Sequence, residues 1–326
     1  MINWGIMGTG KIAGKFAEDF KHVENASLVA VGSRAESSAG SFARDHNIPR
    51  YHASYEQLVQ DPGIDVVYIS TPHNLHCENT LLCLEHGKSV LCEKPIAVNR
   101  GELDTMTQLA QSKGLFLMEA MWTYFLPAIR QAQAWIAAGK IGPVQHIKAD
   151  FGFKAPYDPE KRLFNPALAG GALLDVGIYP IAFALLFAPP GVEHVSVSST
   201  KAPTGVDLTD IYSILFSNNT TADLSCSLGH AFRNDGFIYG EKGYIELPVF
   251  WKSSKAILHL YDEEQPVVFE DHRTTNGYNF ETDEVTRALI NNKTESEVMP
   301  LSKSHELLAI MDDIRNKIGL RYPFET

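Results

Sequence analysis

Apolar residues along the first third of the chain alternate between two rhythms. Ile2, Trp4, Ile6 and Met7 form a strand-like run, and Ala13, Ala17, Phe20 and Val23 then mark a helix. A second apolar run at 27–32 leads to a helix over 33–47, a short edge at 50–52 and a helix at 54–59. Residues 65–70 and 89–92 read as buried strands, separated by a helix over 75–86 that stops at Gly87. An amphipathic helix over 102–113 is closed by Gly114, and a strand at 115–118 completes a six-stranded parallel sheet. Strands and helices alternating at this spacing predict a doubly wound α/β domain of the Rossmann type over residues 1–120.

After residue 120 the rhythm changes. A helix over 127–138 precedes longer strands with period-two alternation at 144–154, 192–200, 210–217, 221–228, 236–240, 244–247 and 256–261. Short polar turns such as Ser217-Asn218-Asn219 join several of them, and helices over 281–291 and 303–318 close the chain. This predicts an α+β domain with a large, predominantly antiparallel sheet over residues 121–326.

Composition narrows the class. The chain has 326 residues, 44% of them hydrophobic, which is enough for two cored domains. A net charge of −11 without a basic run argues against nucleic-acid or anionic-membrane partners. No stretch reads as long and apolar enough to cross a bilayer, and an opening core strand leaves no room for a signal peptide. Cys77, Cys83, Cys92 and Cys226 lack C-x-x-C spacing, so reduced thiols and a cytoplasmic setting are expected.

The first strand runs into Gly8, Thr9, Gly10, Lys11, Ile12 and Ala13. Gly8 permits a tight turn, Gly10 lets backbone approach a pyrophosphate at the helix N-terminus, and Ala13 is the third small position of a dinucleotide fingerprint. An NAD-specific site places an acidic residue about 20 positions on, at the end of the second strand. Here Ser33 and Arg34 stand there, a hydroxyl and a forked cation suited to a 2′-phosphate, which favours NADP over NAD. The plainer alternative is a surface arginine at a helix start.

Two further groups carry chemistry. Glu93, Lys94 and Pro95 follow a predicted buried strand, at the strand end where ligands bind in such sheets. Taken alone, that tripeptide is commonly a solvated turn. Asp175 and Tyr179 are four apart and share a face if helical, after Gly170 and Gly171. Taken alone, Tyr179 reads as a packed core aromatic. His73, His76 and Cys77 are close in sequence, but no matching ligand cluster lies elsewhere, so no metal site is expected.

With these motifs in place the whole chain resembles the Gfo/Idh/MocA oxidoreductases. Met118-Glu119-Ala120-Met121-Trp122-Thr123, Arg162-Leu163-Phe164-Asn165-Pro166 and a tyrosine at 179 make it most similar to their dimeric dihydrodiol and NADP-dependent D-xylose dehydrogenase branch. The resemblance implies hydride transfer between NADP and a secondary alcohol or carbonyl of a sugar, cyclic polyol or trans-dihydrodiol. Tyr179 would be the acid/base, Lys94 its charge partner and substrate-oxygen contact, and Asp175 a polar orienter. Gly8, Thr9, Gly10, Lys11, Ile12, Ser33, Arg34, Thr71, Pro72, Asn74, His76, Glu93, Lys94, Trp122 and Arg162 would bind cofactor. Trp122, Phe153, Trp251 and Phe280 would wall the substrate pocket, together with Lys94, Asp175 and Tyr179. A homodimer or larger homo-oligomer is implied as well. That branch usually has Arg where this chain has Tyr124, which leaves a substrate or dimer contact open. A non-catalytic nucleotide-sensing regulator and an NAD-dependent redox-assisted glycosidase are the alternatives, and intact Lys94, Asp175 and Tyr179 speak against the former.

Overall fold

A computed structural model describes residues 1–325, which form two compact units. The first unit opens as β1 (Ile2–Met7), α1 (Lys11–Phe20), β2 (Ala26–Gly32), α2 (Glu36–Asp45), β3 (Arg50–His52) and α3 (Tyr55–Gln60). It continues as β4 (Val66–Ile69), α4 (His76–Glu85), β5 (Ser89–Glu93), α5 (Arg100–Lys113) and β6 (Leu117–Ala120). The strands are all parallel in the order β3-β2-β1-β4-β5-β6, with every residue of β4 and β5 buried. Burial on both faces explains why these strands read as continuous apolar runs. Local chemistry sets the helix ends: Asn99 Oδ1 accepts from Glu102 N at 3.0 Å, while Glu102 Oε2 accepts from Val98 N at 2.9 Å. Gly114, at φ +62°, closes α5. Strand order reverses beside β1, so the crevice beyond the carboxyl ends of β1 and β4 is the ligand position of a doubly wound sheet.

The second unit, Thr123–His272 together with the chain from Glu306 onward, opens with α6 (Pro127–Ala137) and β7 (Val144–Gly152). A π-helical turn, Leu173–Gly177, runs directly into α7 (Ile178–Phe187). Then follow β8 (Val192–Lys201), β9 (Asp207–Phe216), β10 (Thr221–Ser227), β11 (Gly236–Gly240), β12 (Gly243–Leu247), β13 (Lys255–Leu260) and β14 (Val267–Glu270). The sheet order is β14-β13-β12-β11-β7-β10-β9-β8, antiparallel throughout except where β10 pairs parallel with β7. One face carries Ile147, Ala149, Tyr212, Ile214, Leu224, Ile238 and Ile245, all buried, and α7 packs against β7, β10 and β11. The expectation that no stretch is apolar enough to span a bilayer fails at Pro166–Phe187, which is long and apolar enough by composition. Its most apolar window is 83% buried inside the fold, as a core helix would be.

The chain then returns. Arg273–His305, including α8 (Tyr278–Ile290), belongs with the first unit, and the division falls inside α9 (Leu301–Lys317). A boundary at 120 with everything later in the second domain therefore misses this segment. Its anchor is Asp19 at the end of α1. Oδ1 accepts from Asn276 N and Nδ2 at 2.9 and 3.0 Å, and Oδ2 accepts from Gly277 N and Tyr278 N at 2.8 and 2.9 Å. A carboxylate from one helix thus caps the start of another, far along the chain. Trp4 Nε1 donates to Thr286 Oγ1 at 3.3 Å, so β1 also meets α8 through a side-chain bond.

Candidate active site

In the first unit the turn after β1 has the geometry of a phosphate cradle. Gly8 sits at φ +107°, where a Cβ would lie 3.0 Å from Ser70 Oγ and 3.2 Å from the Ser70 carbonyl. Only glycine accepts that backbone in that space. Gly10 precedes α1 in an extended conformation, no side chain caps the helix, and a Cβ there would meet nothing within 4 Å. The first N–H groups of α1 are therefore open to an anion, while Ala13 is fully buried beneath them. Thr9 and Ile12 are half-buried and Lys11 is exposed. At the end of β2, Ser33 is buried and Arg34 is exposed. Burial raises the Tyr55 phenol above its ordinary pKa, and the Arg34 guanidinium bonded to it pulls the other way.

The ends of β4 and β5 supply the next groups. Asn79 Nδ2 donates to Thr71 Oγ1 at 3.0 Å. His76 is fully buried, with Nδ1 2.7 Å from the Pro95 carbonyl and Nε2 2.8 Å from the Thr71 carbonyl. Through its two ring nitrogens His76 thus ties together the loops that follow β4 and β5. Asn74, half-buried beside half-buried Pro72, keeps a buried Oδ1 with no hydrogen-bond partner. This oxygen, the open helix terminus and the Gly8 turn fit a dinucleotide: donors for its pyrophosphate and an acceptor for a ribose or amide N–H/O–H.

Beneath Lys94 lies a set of acids. Tyr68 donates a short hydrogen bond to Glu93 Oε1, and Glu93 Oε2 accepts from the Lys94 amide at 3.2 Å. Phe16 stacks on Tyr68 with centroids 3.8 Å apart. Glu281 of α8 is fully buried and neither carboxyl oxygen has a partner. Burial, reinforced by the charge of Glu93, pushes its pKa well above the carboxylate range, so it is a neutral acid. Glu119 is raised too, by burial first, although it accepts from Ile96 N at 3.0 Å and feels the Lys94 charge. Trp122 stacks on Tyr278 at 4.7 Å, and Phe280 is half-buried on the same helix.

In the second unit Tyr179, 7% exposed, stands in an aromatic cluster. Its ring centroid lies 5.4 Å from Phe151 and 6.0 Å from Trp251, and those two stack at 4.8 Å. Phe151, on the same side of β7 as the expected Phe153, is the ring that touches Tyr179; Phe153 lies past the strand end and is half-buried. Arg162 Nη1 pairs with Asp175 Oδ1 at 2.6 Å. Asp175 sits in the π-helical turn, a form found often at functional sites, and Tyr179 follows in the first turn of α7. Tyr124 is buried and donates to the Ala182 carbonyl at 2.7 Å, holding α7. The expected residues thus fall in two sets: Lys94, Glu93, Trp122, Phe280 and the nucleotide turn in one unit, Tyr179, Asp175, Arg162, Phe153 and Trp251 in the other.

Residues 2–121 match the model of the oxidoreductase family with an NAD-binding Rossmann fold, and 129–246 match the GFO/IDH/MocA C-terminal domain. The chain belongs to the Gfo/Idh/MocA oxidoreductase family. Trans-1,2-dihydrobenzene-1,2-diol dehydrogenases are full-length relatives of this Gfo/Idh/MocA member. The mouse enzyme is 34% identical over 99% of this chain and 98% of its own, and the human enzyme 35% over the same shares. Among solved structures, aldose-aldose oxidoreductase from Caulobacter crescentus, complexed with glycerol, superposes with a TM-score of 0.89 at 23% identity, covering 98% and 97% of the two chains. A 3-ketoreductase from Actinomadura kijaniata, in complex with NADP and TDP-benzene, does so at 0.87 and 23%, covering 97% of each. This Gfo/Idh/MocA chain is accordingly an oxidoreductase with an NAD-binding Rossmann fold over residues 2–121. Sequence reasoning missed Phe151, Asp19 and Glu281. Period-two alternation from Phe153 pointed to Phe151, whereas nothing local marks an acid buried by a returning helix.

Proposed function

We propose that this chain is an NADP-dependent dehydrogenase that moves a hydride between nicotinamide C4 and the secondary alcohol or carbonyl of a trans-dihydrodiol, cyclic polyol or sugar. The observation that carries the reading is full-length likeness to trans-dihydrodiol dehydrogenases combined with a phenol, Tyr179, set among aromatic rings. The dinucleotide supplies the redox step when bound; the protein supplies position, charge and a proton route. Tyr179 takes the hydroxyl proton during oxidation and returns it during reduction. An ordinary phenol, with a pKa of about 10, is a poor base at neutral pH, and the Lys94 ammonium as its partner lowers that barrier. Asp175, fixed by Arg162, orients the substrate hydroxyl, and Phe151 and Trp251 offer ring faces suited to a cyclic substrate. Ser33 and Arg34 hold the 2′-phosphate, the reason to favour NADP over NAD.

Further features support an assembly. The second sheet carries, on the side away from α7, a row of half-exposed rings, Tyr239 to Tyr244 at 5.5 Å and Tyr244 to His259 at 4.3 Å, and elsewhere on that side Ile211 of β9 is 60% exposed. A homodimer that covers these exposed rings and Ile211 is part of the reading. Four unpaired cysteines suit a reducing, cytoplasmic setting. The test is nicotinamide absorbance during oxidation of trans-dihydrodiols, inositols and aldoses with NADP⁺ and NAD⁺. Turnover of a cyclic diol or polyol with NADP⁺ supports the reading. Absence of turnover with every class overturns it.

A further inference from the structure

Two aspartates lie at the start of β9, outside every motif discussed so far. Asp207 and Asp210 are both fully buried. In a regular strand, residues three apart point to opposite faces. Here the pairing of β8 with β9 shifts between Thr200↔Thr209 and Lys201↔Asp207, a bulge that brings the two carboxyls within hydrogen-bonding reach. Each carboxyl nevertheless retains one buried oxygen without a donor, Oδ1 in both cases. A proton on one carboxyl, donated to the other, removes the shortfall and one of the two buried charges.

The other oxygens act on the catalytic helix. Asp207 Oδ2 accepts from the Leu173 amide at 2.5 Å, at the first residue of the π-helical turn that carries Asp175 and leads to Tyr179. Gly171 sits at φ +127°, and a Cβ on it would collide with Asp207 Oδ1, so glycine is required for the carboxyl to come this close. Tyr322 donates to the Gly170 carbonyl at 2.8 Å, and Tyr212 to the Gly177 carbonyl at 2.9 Å. The turn is thus gripped at 170, 173 and 177, and Asp207 is its only anionic grip among the described residues. A carboxylate at a helix N-terminus satisfies an orphan N–H and complements the dipole.

We propose that Asp207 and Asp210 form a one-proton carboxyl pair that fixes the start of the helix bearing Asp175 and Tyr179, and so act as positioning residues for the reaction. This rests on the assignment of Tyr179 as acid/base. Burial first, then the neighbouring Asp207, pushes the Asp210 carboxyl up to about 9. Burial also raises Asp207, opposed by its bonds to Asp210 and Leu173 and by Lys201. The groups facing the pair are Ser199 and Lys201 of β8, Tyr212 of β9, Cys226 of β10, and Tyr322 beside Arg315 and Glu325. The Cys226 thiol donates to Asp210 Oδ2 at 3.8 Å. Lys201 is the cation that moderates both aspartates, and it has not removed the need for a shared proton.

The experiment compares wild type, Asp207→Ala, Asp207→Asn and Asp210→Asn by kcat and KM against pH, cofactor affinity and melting temperature. Asp207→Ala is expected to lower kcat by about tenfold or more with cofactor affinity unchanged, because the nucleotide turn is in the other unit. Asp207→Asn, which keeps an acceptor for Leu173, should recover most of that loss. Loss of the shared proton is expected to lower wild-type kcat near pH 9; Asp210→Asn donates permanently, so that alkaline fall should move upward, and melting should depend less on pH between about 4 and 9. Should Asp207→Ala fail to fold, Asp210→Asn decides alone. An unmoved alkaline limb and an unchanged melting profile in Asp210→Asn overturn the proposal, as does Asp207→Ala with kcat within threefold of wild type. If wild type turns over no substrate, the functional reading has failed, while the melting profile of Asp210→Asn still decides whether the pair shares a proton.

Discussion

Asp19→Ala tests how the returning segment is held. The carboxylate accepts four bonds from Asn276, Gly277 and Tyr278 at 2.8–3.0 Å, and it is 3% exposed. Truncation leaves those donors without an acceptor. Asn276 is exposed and regains water, but Gly277 and Tyr278 are buried. Two charge-assisted bonds lost from buried donors, at roughly 1.5–3 kcal/mol each, give a destabilisation of about 3–6 kcal/mol. At about 2–4 °C per kcal/mol for a unit of this size, the melting temperature should fall by about 10 °C. Asp19→Asn retains an acceptor oxygen but turns an amide N–H toward a donor, so an intermediate loss is expected. Tyr278 stacks on Trp122, so Trp fluorescence should also change at low urea, before the second unit unfolds. Calorimetry and urea titration read both effects. A loss below about 1 kcal/mol, on the scale of an exposed pair, would refute the claim that this acid anchors the segment.

Other expectations follow from single groups. Arg34→Ala should cost NADP about ten- to a hundredfold in affinity while leaving NAD nearly unchanged, as a charge-assisted phosphate contact of roughly 1.5–3 kcal/mol requires; equal affinities for both cofactors in wild type would contradict it. Glu281 binds a proton in the fold that the unfolded chain has released, so stability contributed by the neutral acid declines as pH rises from about 4.5 toward its raised pKa, by about 1.4 kcal/mol per unit. Glu281→Gln should flatten that slope in melting curves, and an unaltered slope would refute the protonated state. Light scattering should find at least twice the 36.1 kDa chain mass, with Tyr244→Glu or Ile211→Asp shifting the protein toward monomer; a wild-type monomer at micromolar concentration would count against the proposed covered face.

How much was legible depended on how local the cause was. The β1 turn could be read because Gly8, Gly10 and Ala13 do their work within a few residues. Most strand and helix limits fell within two or three positions for the same reason. The strand β14 was missed: Val267 and Val268 are 46% and 53% exposed, so no buried alternation marks it. The strand expected from 210 begins at Asp207, because a bulge at Leu208 breaks the period-two pattern. The return of α8 depends on Asp19, more than 250 residues earlier, and sequence order hides such a partner. His76 reads as a ligand neighbour from its place after β4, yet its nitrogens meet Thr71 and Pro95 carbonyls. Phe280, expected with the other pocket rings of the second domain, follows α8 into the first unit. In the apolar Pro166–Phe187 segment, Gly170, Gly171 and Asp175 interrupt the apolar run and hide its length in the sequence.

Single-turnover hydride transfer in Tyr179→Phe, measured beside cofactor binding, tests whether Tyr179 is the acid/base. The substitution keeps the ring that packs on Phe151 and Trp251 and removes only the hydroxyl. Cofactor affinity should be unchanged and transfer slowed by about 10²-fold or more, with little added loss when Lys94→Met is combined with it. Transfer at near wild-type rate in Tyr179→Phe would contradict the acid/base role and leave Tyr179 a packing aromatic.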